Sequence, residues 1–101
     1  MSSNELIMER QISLRNKHGL HMRPAQRIVE TAMKFKADVR VVKDKLNLSA
    51  KSILDMIEFA EYMVLKSEKN DNDFSFQASG PDAKEALDAL ETLVNTHFGL
   101  E

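Results

Sequence analysis

The sequence predicts an α+β fold: an open-faced β-sandwich whose four-stranded, mainly antiparallel sheet carries three helices on one side, in the order β-α-β-β-α-β-α. Two observations lead there. Apolar residues alternate with polar ones over four short segments, as in half-buried strands, and recur every three to four residues over three longer ones, as in amphipathic helices. Every strand segment keeps one polar face, so the sheet needs cover on one side only. The chain of 101 residues, 43% of them hydrophobic, has material for one modest core, and residues 1–101 read as a single domain.

RQISLR (residues 10–15) places Ile12 and Leu14 on one face of a first strand. From Pro24 onward, Ala25, Ile28, Val29, Ala32 and Met33 share one helical face, and Pro24 suits a first helical turn, where its missing N–H has no bond to lose. ADVRVVK (residues 37–43), with Val39 and Val41 inward, and KLNLS (residues 45–49) make two strands across an Asp44-Lys45 turn. Helical spacing returns in SILDMIEFAEYMVLK (residues 52–66), aligning Ile53, Met56, Ile57, Ala60 and Met63 or Val64, with Ser52 and Asp55 spaced as in a capping box. A polar loop leads to FSFQAS (residues 74–79), with Phe74, Phe76 and Ala78 on one face. The last helix, residues 81–98, carries a stripe of Ala83, Ala86, Leu87, Leu90 and Val94, and Asp82 with Glu85 is placed to cap its start.

Composition narrows the function. A net charge of −2 offers no general grip on nucleic acid, and none is expected as a partner. No apolar run approaches membrane-spanning length, and the first residues lack the layout of a signal peptide, so a cytoplasmic location without direct membrane insertion is expected. Without cysteine, neither disulfides nor thiolate metal sites hold the fold. Residues 1–7 are expected to be flexible, and Leu100-Glu101 matches a common expression-vector scar.

The chemistry concentrates in NKHGLHMRPA (residues 16–25). If a helix begins near Met22, the backbone N–H groups of Met22 and Arg23 lack intrahelical partners and form an anion nest beside His21. Arg23 adds a permanently charged fork suited to phosphoryl oxygens. His21 supplies a ring nitrogen that is largely neutral near pH 7 and can accept a phosphoryl group. A helix N-terminus stabilises an exposed anion by about 0.3–1 kcal/mol, and a hydrogen bond to a charged group by about 1.5–3 kcal/mol, so Arg23 should dominate. His18 and His21 have no further clustered ligand, so no metal is expected, and His97 suits a helix C-terminus.

GLHMRPA (residues 19–25) resembles the Gly-Leu-His-x-Arg-Pro-Ala signature of HPr, the histidine-containing phosphocarrier family of the bacterial phosphoenolpyruvate-dependent sugar phosphotransferase system. AKSIL (residues 50–54) is similar to that family's Lys-Ser-Ile segment, and ASGPDAKEALDAL (residues 78–90) to its last strand and helix. The resemblance implies the open-faced sandwich and a phosphoryl relay rather than a stand-alone catalyst. It implies that His21 takes a phosphoryl group on Nδ1 from phospho-enzyme I and passes it to IIA components of sugar permeases or to a regulatory branch of that relay. It further implies that Arg23 steadies the group, and that Ser52 is a target for an HPr kinase/phosphorylase. Met22, Ile53, Leu54 and Ile57 would dock partners. No cofactor is implied, and a monomer is expected.

Two features depart from the family pattern. Asp55 stands where a small residue is usual, and Glu58 adds acidic charge on the same helix; both are expected to alter partner choice and association rate. The segment between Ser52 and Gly80 is several residues longer than usual, as a second helix lengthened by about two turns or as a longer loop with an extra strand piece. Two other readings stand beside the carrier: a regulatory binding protein of this fold switched by phosphorylation of Ser52, and an adaptor that kept only the fold.

Overall fold

The structure, a computed structural model, describes residues 6–14, 22–96 and 98, with the side chains of all of these except Met22, Arg23 and Ser67. Four strands, β1 (Met8–Ser13), β2 (Asp38–Lys43), β3 (Leu46–Ser49) and β4 (Asp73–Ser79), alternate with three helices, α1 (Met22–Ala32), α2 (Ile53–Ser67) and α3 (Ala83–Asn95). The sheet order is β1-β4-β2-β3, antiparallel at every pairing. Registers run from Met8 opposite Ala78 to Ser13 opposite Asp73, and from Asp38 opposite Ser79 to Val42 opposite Ser75. This is the predicted open-faced sandwich. Among the described residues no helix is long and apolar enough to cross a membrane.

The core lies between the sheet's inward face and the helices. Ile12, Val39, Val41, Phe74, Phe76 and Ala78 meet Ala25, Ile28 and Ala32 of α1, Met56, Phe59, Ala60 and Met63 of α2, and Ala83, Ala86, Leu87, Leu90 and Val94 of α3. Phe59 stacks edge-on to Phe74 at 5.0 Å between ring centres, and Phe74 to Phe76 at 5.2 Å. Such edge-to-face pairs favour one relative orientation beyond the area they bury.

Several sequence expectations shift. Met33, expected on the buried face of α1, is 61% exposed, and Ile53 is exposed at the start of α2 while Phe59 takes the core position. Both displaced residues sit in the end turns, beyond the reach of the sheet, where phase alone does not bury a side chain. Asp82 precedes α3 but does not cap it: its carboxylate accepts instead from the Lys36 and Ala37 N–H groups, at 2.9 and 2.8 Å. It thereby ties α3 to the link between α1 and β2. The final helix stops at Asn95 because the Thr96 hydroxyl donates to the Thr92 and Leu93 carbonyls, and Phe98 folds back into the core beyond it. In the longer second segment α2 runs to Ser67 and residues 68–72 turn into β4, so residues 61–67 continue the helix and no extra strand piece forms there.

Gly80 is needed where β4 turns toward α3. Its φ is +139°, and a Cβ there would lie 2.8 Å from Ala37 Cα. Urea unfolding should show Phe59→Ala costing about 3–5 kcal/mol and Gly80→Ala about 1–3 kcal/mol, while Met33→Ala stays within about 0.5 kcal/mol.

Candidate functional site

The described part of the candidate site is the N-terminus of α1. The helix starts at Met22, the residue after His21, and its first turn holds no acidic residue. The first N–H groups of an α-helix have no intrahelical acceptor, so Met22 and Arg23 offer free donors there. Pro24 is the third helical residue, not the first, and is buried against the core; it still loses nothing, because that position's N–H would also be unpaired. His21 itself, Gly19, His18 and His97 lie outside the described residues, as does the side chain of Arg23.

Two contacts fix what surrounds this end. Leu14, the last described residue before the His21 segment, donates its N–H to the Asn72 carbonyl at 2.9 Å, beside the start of β4. At the other end of α1, the Lys51 ammonium donates to the Phe35 carbonyl at 2.7 Å, so α2 begins where α1 has just ended. The two helices pack along each other, and α2 therefore runs back toward the end from which α1 starts. The last turns of α2 point to that end of the molecule. Asn72, in the segment after them, has a buried side-chain oxygen with no hydrogen-bond partner.

The extension is tied down by polar contacts that the sequence reading did not single out. Lys43, on the inward face of β2 and only 7% exposed, is ion-paired with Asp71. Asp44, in the left-handed region at φ 55° in the β2–β3 turn, accepts from the Tyr62 hydroxyl at 2.6 Å and pairs with the Lys66 ammonium at 3.3 Å. Period-two alternation in β2 already put Lys43 inward with Val39 and Val41, which was the available signal. Its partner in a distant loop carried none.

Ser52 and the docking candidates sit elsewhere. Ser52 is the N-cap of α2: its Oγ accepts from the Asp55 N–H at 3.2 Å, and the Asp55 carboxylate accepts from the Ser49 N–H at 3.0 Å. Asp55 is thus part of the cap and not a free charge at a docking rim, as the sequence suggested. Because α2 begins beside the end of α1, Ser52 lies toward the end of α1 rather than its start. Leu54 is 75% exposed, Ile53 is exposed, and Ile57 is half-buried.

Comparison with known proteins places these features in a family. The family model "PTS HPr component phosphorylation site" matches residues 8–96. The phosphocarrier protein HPr of Neisseria meningitidis is 32% identical over 93 residues, covering 92% of this chain and 97% of that protein. The multiphosphoryl transfer protein of Vibrio cholerae is 35% identical over 89 residues, 85% of this chain, and this chain spans a fifth of its length. The crystal structure of HPr-C-His from Thermoanaerobacter tengcongensis superposes with a TM-score of 0.77 at 37% identity, over 93% of this chain and 98% of that one.

Two outcomes test the local geometry. Ser52→Ala should cost about 1 kcal/mol in stability, measured by urea unfolding. Asp44, chiefly through Tyr62, Asp71, chiefly through Lys43, and Asp82, chiefly through the Lys36 N–H, all have carboxyl pKa values held below the usual 3.8. A depressed folded value means that the stabilisation is fully present above the unfolded value and disappears as pH falls through the folded one. Unfolding midpoints should therefore be insensitive to these groups above about pH 5 and drop below about pH 4, with Asp71→Asn and Asp82→Asn each flattening the drop.

Proposed function

The chain belongs to the HPr family of phosphotransferase-system phosphocarriers, and from that premise we propose that it carries a phosphoryl group on His21. The group comes from phospho-enzyme I and goes to IIA-type proteins or to a regulatory branch of the same relay. What supports the reading is the start of α1 at Met22, the residue after His21, which leaves the Met22 and Arg23 N–H groups without intrahelical partners. For transfer, Nδ1 of His21 must present a lone pair, so the neutral ring keeps its proton on Nε2. The bond from phosphorus to Nδ1 forms as the donor's bond to phosphorus breaks, and the reverse exchange delivers the group to the acceptor.

The developing negative charge on the phosphoryl oxygens is met by the Met22 and Arg23 amides and by the Arg23 guanidinium. Each ~1.4 kcal/mol of preference for the phosphorylated state moves the transfer equilibrium tenfold, so this grip has to be moderate. Ser52 is proposed as a second, regulatory phosphorylation site. Phosphorylation there would put a doubly charged group beside the Asp55 carboxylate, opposing the favourable helix terminus.

The deciding experiment incubates the protein with phosphoenolpyruvate and the enzyme I encoded by the same genome. An acid-labile adduct should form on the parent protein and be absent from His21→Ala; no adduct on the parent overturns the carrier reading. Arg23→Ala should keep the fold and change phosphoryl transfer by about ten- to a hundredfold, measured by rapid-quench kinetics.

A further inference from the structure

The turn from α2 into β4, residues 68–72, is fixed from two sides although Glu68, Lys69 and Asn70 are exposed. The N–H groups of Lys69 and Asp71 both donate to the Lys66 carbonyl, at 2.9 and 3.0 Å, and Asn70 takes the left-handed region, which asparagine tolerates. From beneath, the buried ammonium of Lys43 is ion-paired with Asp71. An apolar residue could fill that inward position of β2 without the cost of desolvating a charge, so the pair fixes the place of the turn rather than the packing under it.

Asn72 ends the turn. Its carbonyl accepts from the N–H of Leu14, itself buried, at 2.9 Å. Residues 15–21 therefore run between two fixed points, Leu14 and the start of α1 at Met22, and His21 is the last of them. The side chain of Asn72 serves none of this: the turn is closed by the Asp71 N–H, and Leu14 is held by a backbone carbonyl. Its Oδ1 is buried and has no hydrogen-bond partner among the described residues. A buried acceptor without a donor destabilises the state that contains it, and a state that brings a donor is favoured by the same amount. The flanking side chains, Asp71 and Asp73, are carboxylates and bring none.

We propose that Asn72 is a positioning residue for phosphoryl transfer, whose side-chain oxygen accepts from an N–H of residues 15–21 when His21 carries the phosphoryl group. The proposal rests on His21 as the carrier. The ionised phosphoryl oxygens are acceptors and cannot themselves bond Oδ1, so Asn72 acts through the chain that leads to the ring and not on the reacting atoms. Drawing those oxygens to the free amides at the start of α1 rearranges the segment between its two fixed points, and a donor delivered to Asn72 favours the phosphorylated arrangement. Lys43, by holding Asp71, keeps the acceptor where the segment can reach it. The end of α2 thereby has a share in how long the phosphoryl group stays on His21.

Phosphoramidate tests this without a partner protein. Its bond from phosphorus to nitrogen breaks, ammonia leaves, and the bond from phosphorus to Nδ1 of His21 forms. In the parent chain, the side-chain amide NMR resonances of Asn72 should move on phosphorylation, while those of Asn47, already bonded to Arg40, stay in place. Hydrolysis of the adduct, followed at the His21 ring by NMR, should be about tenfold faster in Asn72→Leu, the worth of one hydrogen bond, and faster also in Lys43→Met. Before phosphorylation, Asn72→Leu should unfold in urea at or above the parental midpoint, because it loses an unsatisfied acceptor. Unmoved Asn72 resonances overturn the inference, as does parental hydrolysis in Asn72→Leu. If phosphoramidate labels the parent with these sensitivities and phospho-enzyme I does not, the carrier reading falls and the role of Asn72 stands.

Discussion

The edge-on contact of Phe59 with Phe74, continued to Phe76, seats α2 on the sheet. Phe74 and Phe76 belong to β4, the strand that pairs with β1 on one side and β2 on the other, so a ring set against them is set against the middle of the sheet. Once Phe59 is fixed there, helical phase decides the rest of α2. Met56 and Met63 follow it into the core, Tyr62 and Lys66 turn toward the β2–β3 hairpin, and Leu54, Glu58, Glu61 and Leu65 are left facing water. The outward stripe is thus the geometrical complement of one aromatic contact.

The same seating explains how the last turns of α2 are held. Beyond the buried Met63, ionic and hydrogen-bonded ties hold the end of the helix. Lys43 with Asp71 and Asp44 with Tyr62 and Lys66 join the extension to the hairpin tip, and Asn70 adopts φ 62° to bring the chain back into β4. Individually such ties at a surface are weak. Together they give the extension a defined direction, toward the end at which α1 begins.

The order of elements was readable because each strand alternates cleanly and each helix carries one stripe; Ile12, Val39, Val41, Phe74, Phe76, Leu87 and Leu90 all lie where period places them. Phase failed at helix ends, where Met33 and Ile53 continue the stripe but have no sheet beneath them. Asp82 reads as a cap in the sequence because the donors its carboxylate accepts from, the N–H groups of Lys36 and Ala37, are 46 and 45 residues away in the chain and visible only after folding. The candidate site was legible for a different reason. GLHMRPA packs a nucleophile, a cation and a helix start into seven consecutive residues, so its chemistry needs no distant partner to be recognised. Asp55 shows the opposite case: its charge is obvious in the sequence, but its employment by the Ser49 N–H is not.

Pro24 occupies the third position of α1, and its missing N–H limits what the helix end can hold. A helix that began without proline would offer an additional amide hydrogen in its first turn; among the described residues the donors here are those of Met22 and Arg23. An anion resting on this end would consequently be retained less firmly by the backbone. For a protein whose task is to part with its cargo at the next encounter, incomplete retention is an advantage, and a single ring with no N–H builds it into the start of the helix.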